Sequence, residues 1–314
     1  MLENEFVLSP DRTVVPSYRI SPFRTEDISR NRAVPVSAEA DYYFRERFPG
    51  KRFVYCESGR QALGLALHAL KLAPEHVVTI LTTTGNLYIS GCVTREIEKV
   101  CRWSRQMEAG TKALLVNHEF GFAYEELRKL REHGLPIIED AAHAFASNNS
   151  EESVSNVGQF TVYSFPKFFP VQFGGLLVCE SRSEIEEPIS GPAKRYLQKV
   201  LWAQIAALPQ TRAKRQENYR ALGERVSKFD CSPRFALKPH SVPGVFMFRT
   251  PADVDLPGLK TFMQARGIEC SVFYGEQAFF IPVHERLTTS DLDFLAEVYK
   301  SFVKSCCHRQ TKTV

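Results

Sequence analysis

Between residues 51 and 180 short apolar runs alternate with helical stretches, and few architectures accept that alternation. Phe53–Cys56, Val77–Leu81 (VVTIL), Lys112–Val116 (KALLV), Leu135–Ile138 (LPII), Phe160–Phe165 (FTVYSF) and Gly175–Cys179 (GLLVC) read as strands. Between them lie QALGLALHAL at 61–70 and the amphipathic YEELRKLREH at 124–133, stopped by Gly134. Strands this short and apolar are buried on both faces. They predict an α/β fold: a mostly parallel sheet with helices on both sides. After about 190 the texture changes. Helical stretches at 192–207 and 211–228 precede a strand at 245–249 and a helix at 256–266. Strands near 270–274 and 279–283 and a last helix from 289 to 303 complete a smaller C-terminal α+β domain. Residues 1–45 hold scattered Pro, Arg and Ser and read as an extended arm with little structure of its own. The expected organisation is an arm (1–45), a large domain (46–200) and a small domain (201–314).

Composition narrows the class. At 314 residues, 44% hydrophobic and 24% charged, the chain is globular and long enough to bury a core. A net charge of +4 is too mild for a dedicated nucleic-acid binder. No apolar run approaches the ~20 residues of a membrane span, and MLENEFVLSPDR lacks the basic-then-apolar pattern of a secretory leader. The eight cysteines are scattered, without a C-x-x-C pair or a histidine at zinc spacing, so no metal site is expected. They fit soft core residues in a reducing, cytoplasmic setting. Cys306-Cys307 sits in a polar tail and reads as a frayed end. The basic run Arg212, Lys214, Arg215, Arg220 and Arg225 reads as a solvated helix face.

Three features carry chemistry. Asp140 ends an apolar strand, where ligands bind at the carboxyl edge of open α/β sheets; it either meets a ligand or caps a helix over AAHAFAS. Lys167 stands among Tyr163, Phe165, Phe168, Phe169 and Phe173 and either snorkels or is desolvated into a nucleophile. Ser58-Gly59-Arg60 lies between a strand and a helix start, which makes it either a plain N-cap or a phosphate turn. A phosphate turn, a buried carboxylate and an aromatic-flanked lysine on strand edges of one sheet match the needs of pyridoxal 5'-phosphate (PLP). The lysine forms the Schiff base, the carboxylate pairs with the pyridine nitrogen, and the helix end holds the phosphate.

The stretches YCESGRQALGLAL, LLVNHEFG, YEELRKLREHGLPIIEDAAHAFAS, VYSFPKFFPVQFGGLLV, RAKRQENYRALGE and IPVHERLTTSDLD, in that order from about 53 to 302, resemble the DegT/StrS family of sugar aminotransferases. That family consists of PLP enzymes of fold type I, and this chain resembles an atypical short member. The resemblance implies a PLP-binding large domain with Lys167 as the Schiff-base lysine and Asp140 as the partner of the pyridine nitrogen. It places His143 beside the cofactor ring and Ser58, Gly59, Arg60 and Ser164 at the phosphate, and makes His118 and Gly121 parts of a structural loop. It further implies an amino-acid donor, glutamate, a keto acceptor on a nucleotide-linked sugar, and a homodimer.

The departures are specific. Serine and lysine in SFPK stand two residues closer than in the family pattern. The ring-stacking aromatic expected after TTT is replaced around Gly85-Asn86, with Tyr88 as the available substitute. The family's G-x-N-Y-R-M segment, whose Asn reaches the partner subunit's phosphate, gives way to SGPAKRYLQKVLW, where Lys194, Arg195 and Lys199 are candidates for that role. The loop between Phe273 and Ile281 is shortened. The alternatives are a degenerate, non-catalytic member that binds a ligand or a partner, or a PLP enzyme of another reaction type. A sugar dehydratase of the same scaffold replaces the lysine with histidine, which Lys167 argues against.

Overall fold

The computed structural model describes residues 16–149 and 154–310, with side chains through 305. The first fifteen residues of the predicted arm and the side chains of Cys306 and Cys307 lie outside the described residues. The chain divides into two compact units: residues 21–213 with 237–244, and residues 16–20, 214–236 and 245–310.

The larger unit is built, among its described residues, on a seven-stranded sheet. Its strands are β1 (Lys51–Cys56), β2 (Val77–Thr82), β3 (Arg102–Ser104), β4 (Thr111–Asn117), β5 (Ile137–Asp140), β6 (Phe160–Ser164) and β7 (Gly175–Glu180), in the spatial order β1-β7-β6-β5-β4-β2-β3. The β3-β2-β4-β5-β6 run is parallel, and β7 pairs antiparallel with both β6 and β1. The predicted mostly parallel sheet is borne out. Alternation along each strand sends side chains to opposite faces. Val54, Cys56, Leu177, Cys179, Phe160 and Val162 pack on one side with α3 (Gly59–Ala69) and α4 (Gly91–Ile97). Tyr55, Leu176, Val178 and Tyr163 pack on the other with α2 (Ala40–Arg47) and α5 (Gly191–Ile205).

The reading of the arm as structureless is corrected. Residues Asp27–Ala33 form helix α1 and Ala40–Arg47 form α2. Ala40, Phe44 and Phe48 recur every four residues and are all buried in the core of the large unit. Asn31 Nδ2 donates to the Pro170 carbonyl at 2.8 Å, tying α1 to the segment after Lys167. The stretch 124–133 is also different: it is a 3₁₀ run, Leu127–His133, that buries Leu127 and Leu130. Gly134 ends it as expected, with φ +66°.

The smaller unit holds the sheet β8 (Ser232–Pro233), β9 (Phe246–Arg249), β10 (Ser271–Val272) and β11 (Ala278–Ile281), all antiparallel. It also holds α7 (Leu256–Gln264) and α8 (Thr289–Gln310). Helix α6 (Leu208–Val226) runs through the boundary at 213, so no loop or composition shift marks it. The basic run on α6 is not uniformly solvated. Arg215 is fully buried and pairs with Glu285 at 2.8 Å, because its helix position faces the unit's core and a carboxylate there offsets its desolvation. Among the described residues no helix is long and apolar enough to cross a membrane.

Candidate active site

The larger unit places Ser58, Gly59 and Arg60 after β1, Tyr88 after β2, His118 after β4, Asp140 and His143 at and after the end of β5, and Ser164 and Lys167 at and after the end of β6. Each group is positioned by a local feature of the sequence.

Ser58 is the N-cap of α3: its backbone is extended and its hydroxyl accepts from the Gln61 N–H at 3.2 Å. Gln61 returns the bond by accepting from the Glu57 N–H at 2.7 Å, a variant of the capping box. The side chain of Ser58 is thereby engaged, which favours the plain capping reading for that hydroxyl. The helix start itself still presents backbone amides at Gly59 and Arg60 along the positive end of the dipole. The Arg60 side chain is exposed.

Ser164 stands beside this turn. A Cβ on residue 59 would lie 3.0 Å from the Ser164 Cβ and 3.5 Å from its Oγ. The short serine–lysine spacing therefore leaves the hydroxyl next to the helix start. The reason is β7, which pairs Gly175 with both Ser164 and Cys56 and so draws β6 and the end of β1 together. A Cβ at 175 would come within 2.6 Å of the Ser58 carbonyl carbon and 2.8 Å of the Gly59 nitrogen. Gly175→Ala is accordingly expected to cost about 1–3 kcal/mol of stability by overpacking, read as a lower melting temperature, and to disturb the Ser58–Gly59 turn.

Lys167 closes a 3₁₀ turn, Phe165–Lys167, that follows β6 directly. The flanking Phe165, Phe168 and Phe169 are buried in an aromatic cluster with Phe145, which fixes the backbone on either side. Lys167 is half-buried, and among the described residues no hydrogen bond or ion pair occupies its ammonium. Its charge is close enough to act on Asp140.

Asp140 is buried at the end of β5. The alternative of a helix cap is excluded, because residues 141–147 form two successive turns and not a helix. One carboxylate oxygen accepts from the Ala142 N–H at 3.1 Å, an Asx-type turn, and the other from Asn117 Nδ2 at 2.8 Å. Burial pushes its pKa up; the Ala142 and Asn117 bonds, and the more distant His118 and Lys167, pull it back in part.

His118 and Glu139 form a buried pair behind Asp140, with Nε2 and Oε2 3.2 Å apart. His118 Nδ1 accepts from the Tyr124 N–H at 3.0 Å, so Nε2 carries the proton toward Glu139. Glu139 also accepts from the Ser155 and Gly158 amides at 2.9 and 2.6 Å. Burial opposes its charge, but His118 and these amides outweigh it and hold the carboxyl below its ordinary range. The loop turns at Gly121, where φ is +94° and a Cβ would meet the Val242 carbonyl. His118 thus sits in a buried pair and Gly121 at the turn of the loop after β4.

His143 is half-buried, with its ring 5.2 Å from that of Phe120. Phe120 in turn lies 6.0 Å from Tyr88. Phe120 holds a left-handed backbone, φ +50°, and links the two predicted ring neighbours. The sequence reading missed it and Asn117; a polar residue ending the apolar strand KALLVN was the one available signal for the latter. Of the candidate cations replacing the family's Asn, Lys194 is bound to Glu187 at 2.6 Å. Lys199 is bound to the Arg32 and Val34 carbonyls at 2.9 and 3.0 Å. Both lysines thus have partners within the subunit.

Residues 99–188 match the model of the DegT/DnrJ/EryC1/StrS aminotransferase family. That stretch, less than a third of the chain, is similar to this family in sequence. A curated relative, the UDP-N-acetyl-3-dehydro-alpha-D-glucosamine 3-aminotransferase of Acidithiobacillus ferrooxidans, is 28% identical over 157 residues, which is 44% of this chain. That match spans 42% of the relative's own length. Among solved structures, the aminotransferase TlmJ of Streptoalloteichus hindustanus superposes with a TM-score of 0.73 at 16% identity, covering 92% of this chain and all of its own. The PLP form of Spr1654 of Streptococcus pneumoniae superposes at 0.68 and 14% identity, covering 93% of this chain and 98% of its own. The DegT/StrS resemblance and the fold type I expectation are borne out by these matches. The residues present fit the cofactor: Asp140 is a buried carboxylate whose hydrogen bonds come from the neutral donors Asn117 and Ala142, and the α3 start presents the Gly59 and Arg60 amides beside Ser164.

Proposed function

We propose that this DegT/StrS chain is a PLP-dependent aminotransferase. It moves an amino group from an amino acid, glutamate by family analogy, to a keto group of a nucleotide-linked sugar. The observation that carries the reading is Asp140. A buried carboxylate with two neutral hydrogen-bond donors is an incomplete arrangement until a cation adjoins it, and a protonated pyridine nitrogen is such a cation.

Bound PLP would supply an electron sink for the donor's carbon. The chain's residues divide the rest. Lys167 Nζ would hold the cofactor and would serve as the base that takes the proton from the donor's carbon. Asp140 keeps the ring nitrogen protonated. The Gly59 and Arg60 amides and the Ser164 hydroxyl hold the phosphate, and His143 and Tyr88 flank the ring. Arg195 of a second subunit is the remaining candidate for completing the phosphate site in a homodimer. The dehydratase alternative has no residue in its favour, since Lys167 is present.

Visible absorbance tests the reading. Addition of PLP should produce a cofactor band that bleaches with glutamate and returns with a keto-sugar nucleotide. No band after PLP addition would instead support a binding or structural role. A band indifferent to every amino donor would indicate another PLP reaction.

A further inference from the structure

We infer that Asn117 is a positioning residue for the cofactor's ring nitrogen, acting by clamping the Asp140 carboxylate. The inference rests on the reading of the site as a PLP site.

Asn117 is the last residue of β4, and Asp140 the last of β5; they are register partners across the parallel pair. Partners in adjacent parallel strands project side by side, ~4.8 Å apart. The pairing is therefore set by the sheet and not by loop placement. Asn117 Nδ2 donates to one Asp140 oxygen at 2.8 Å, and the Ala142 amide donates to the other at 3.1 Å. The His118 N–H also donates to the Asp140 carbonyl at 3.0 Å, anchoring the backbone of the same residue.

The chemistry of the donor matters. An amide stabilises a carboxylate without neutralising it, so the charge remains available to a cation. A lysine or arginine at 117 would consume that charge in an ion pair. An apolar residue would leave the carboxylate buried with one donor fewer, and burial already favours its protonated form. A protonated Asp140 would lose the attraction that holds a pyridinium proton. Asn117 thus opposes the protonation that burial favours and orients the carboxylate.

The test is a double-mutant cycle read by PLP affinity. Titrate apo wild type, Asn117→Val, Asp140→Asn and the double variant with PLP, following absorbance and protein fluorescence. Record the melting temperature of each apo chain. Asn117→Val should weaken PLP binding about tenfold or more, the scale of one hydrogen bond to a charged group. Asn117→Thr keeps a hydroxyl donor on a similar frame and should recover part of the loss. In the Asp140→Asn background the valine change should alter affinity less than twofold. Wild-type affinity in Asn117→Val overturns the inference, and so does an equal loss in both backgrounds, since Asn117 would then not act through Asp140. If Asn117→Val does not fold, Asn117→Ala, which also removes the donor, carries the same comparison. Failure of the wild type to bind PLP overturns the cofactor reading and this inference with it, which separates that failure from the other two.

Discussion

Borohydride treatment of the PLP-loaded chain is expected to fix the cofactor on the peptide that contains Lys167 and on no other. Lys167→Ala should still bind PLP noncovalently, through the α3 start and Asp140, but lose turnover by more than about ten-thousandfold. That bound follows from removing the proton-transfer group, whose contribution alone reaches ~10⁴, together with the covalent anchor. The fold should be unaffected: Lys167 is half-buried and its ammonium holds nothing in the described structure, while Phe165, Phe168 and Phe169 anchor the turn. Equal melting temperatures for variant and wild type would check this. Label on another lysine, or turnover within tenfold of wild type, would refute the assignment.

The second large effect is at Asp140, where activity and stability should move in opposite directions. Asp140→Asn keeps the shape and the Asn117 contact while removing the charge. Turnover should fall about a thousandfold, the scale of one preorganised electrostatic partner. Stability of the apo chain should rise. The folded pKa of Asp140 lies above its ordinary 3.8, so the native state binds more protons than the unfolded state between those two values. Stability falls as pH rises through that window and stays lowered above it. The Asn variant has no such penalty, so its apo melting temperature should exceed wild type at neutral pH and converge with it in acid. A variant that is less stable at neutral pH, or that turns over normally, would show Asp140 to be a structural residue.

The combination is informative because a residue kept for packing would not destabilise the empty protein. Burial works against the Asp140 charge, and in the proposed function the bound pyridinium offsets that cost. Glu139, the adjacent residue, is the opposite case. It is held ionised by His118 and two amides inside the protein itself and has no need of a ligand.

The sequence alone determined what local patterning controls. Apolar runs and their alternation placed the strands, because side chains of period two must be buried on both faces of a covered sheet. Gly134 as a stop followed from backbone stereochemistry, while Ser58 was legible only as either a cap or a phosphate turn. Asp140 and Lys167 were legible because a charge ending an apolar strand, or standing among phenylalanines, needs a reason.

Tertiary structure decided what depends on partners distant in sequence. That Asp140 does not cap a helix is decided by turns at 141–147, whose backbone bonds compete with helix. The antiparallel return of β7, with Gly175 against Ser58, brings Ser164 beside Gly59 despite the shortened spacing to Lys167. Arg215 is buried because Glu285, seventy positions on, awaits it. Most of all, Asn117 meets Asp140 through strand register alone: 23 residues separate them in sequence, and only the pairing of β4 with β5 makes them neighbours.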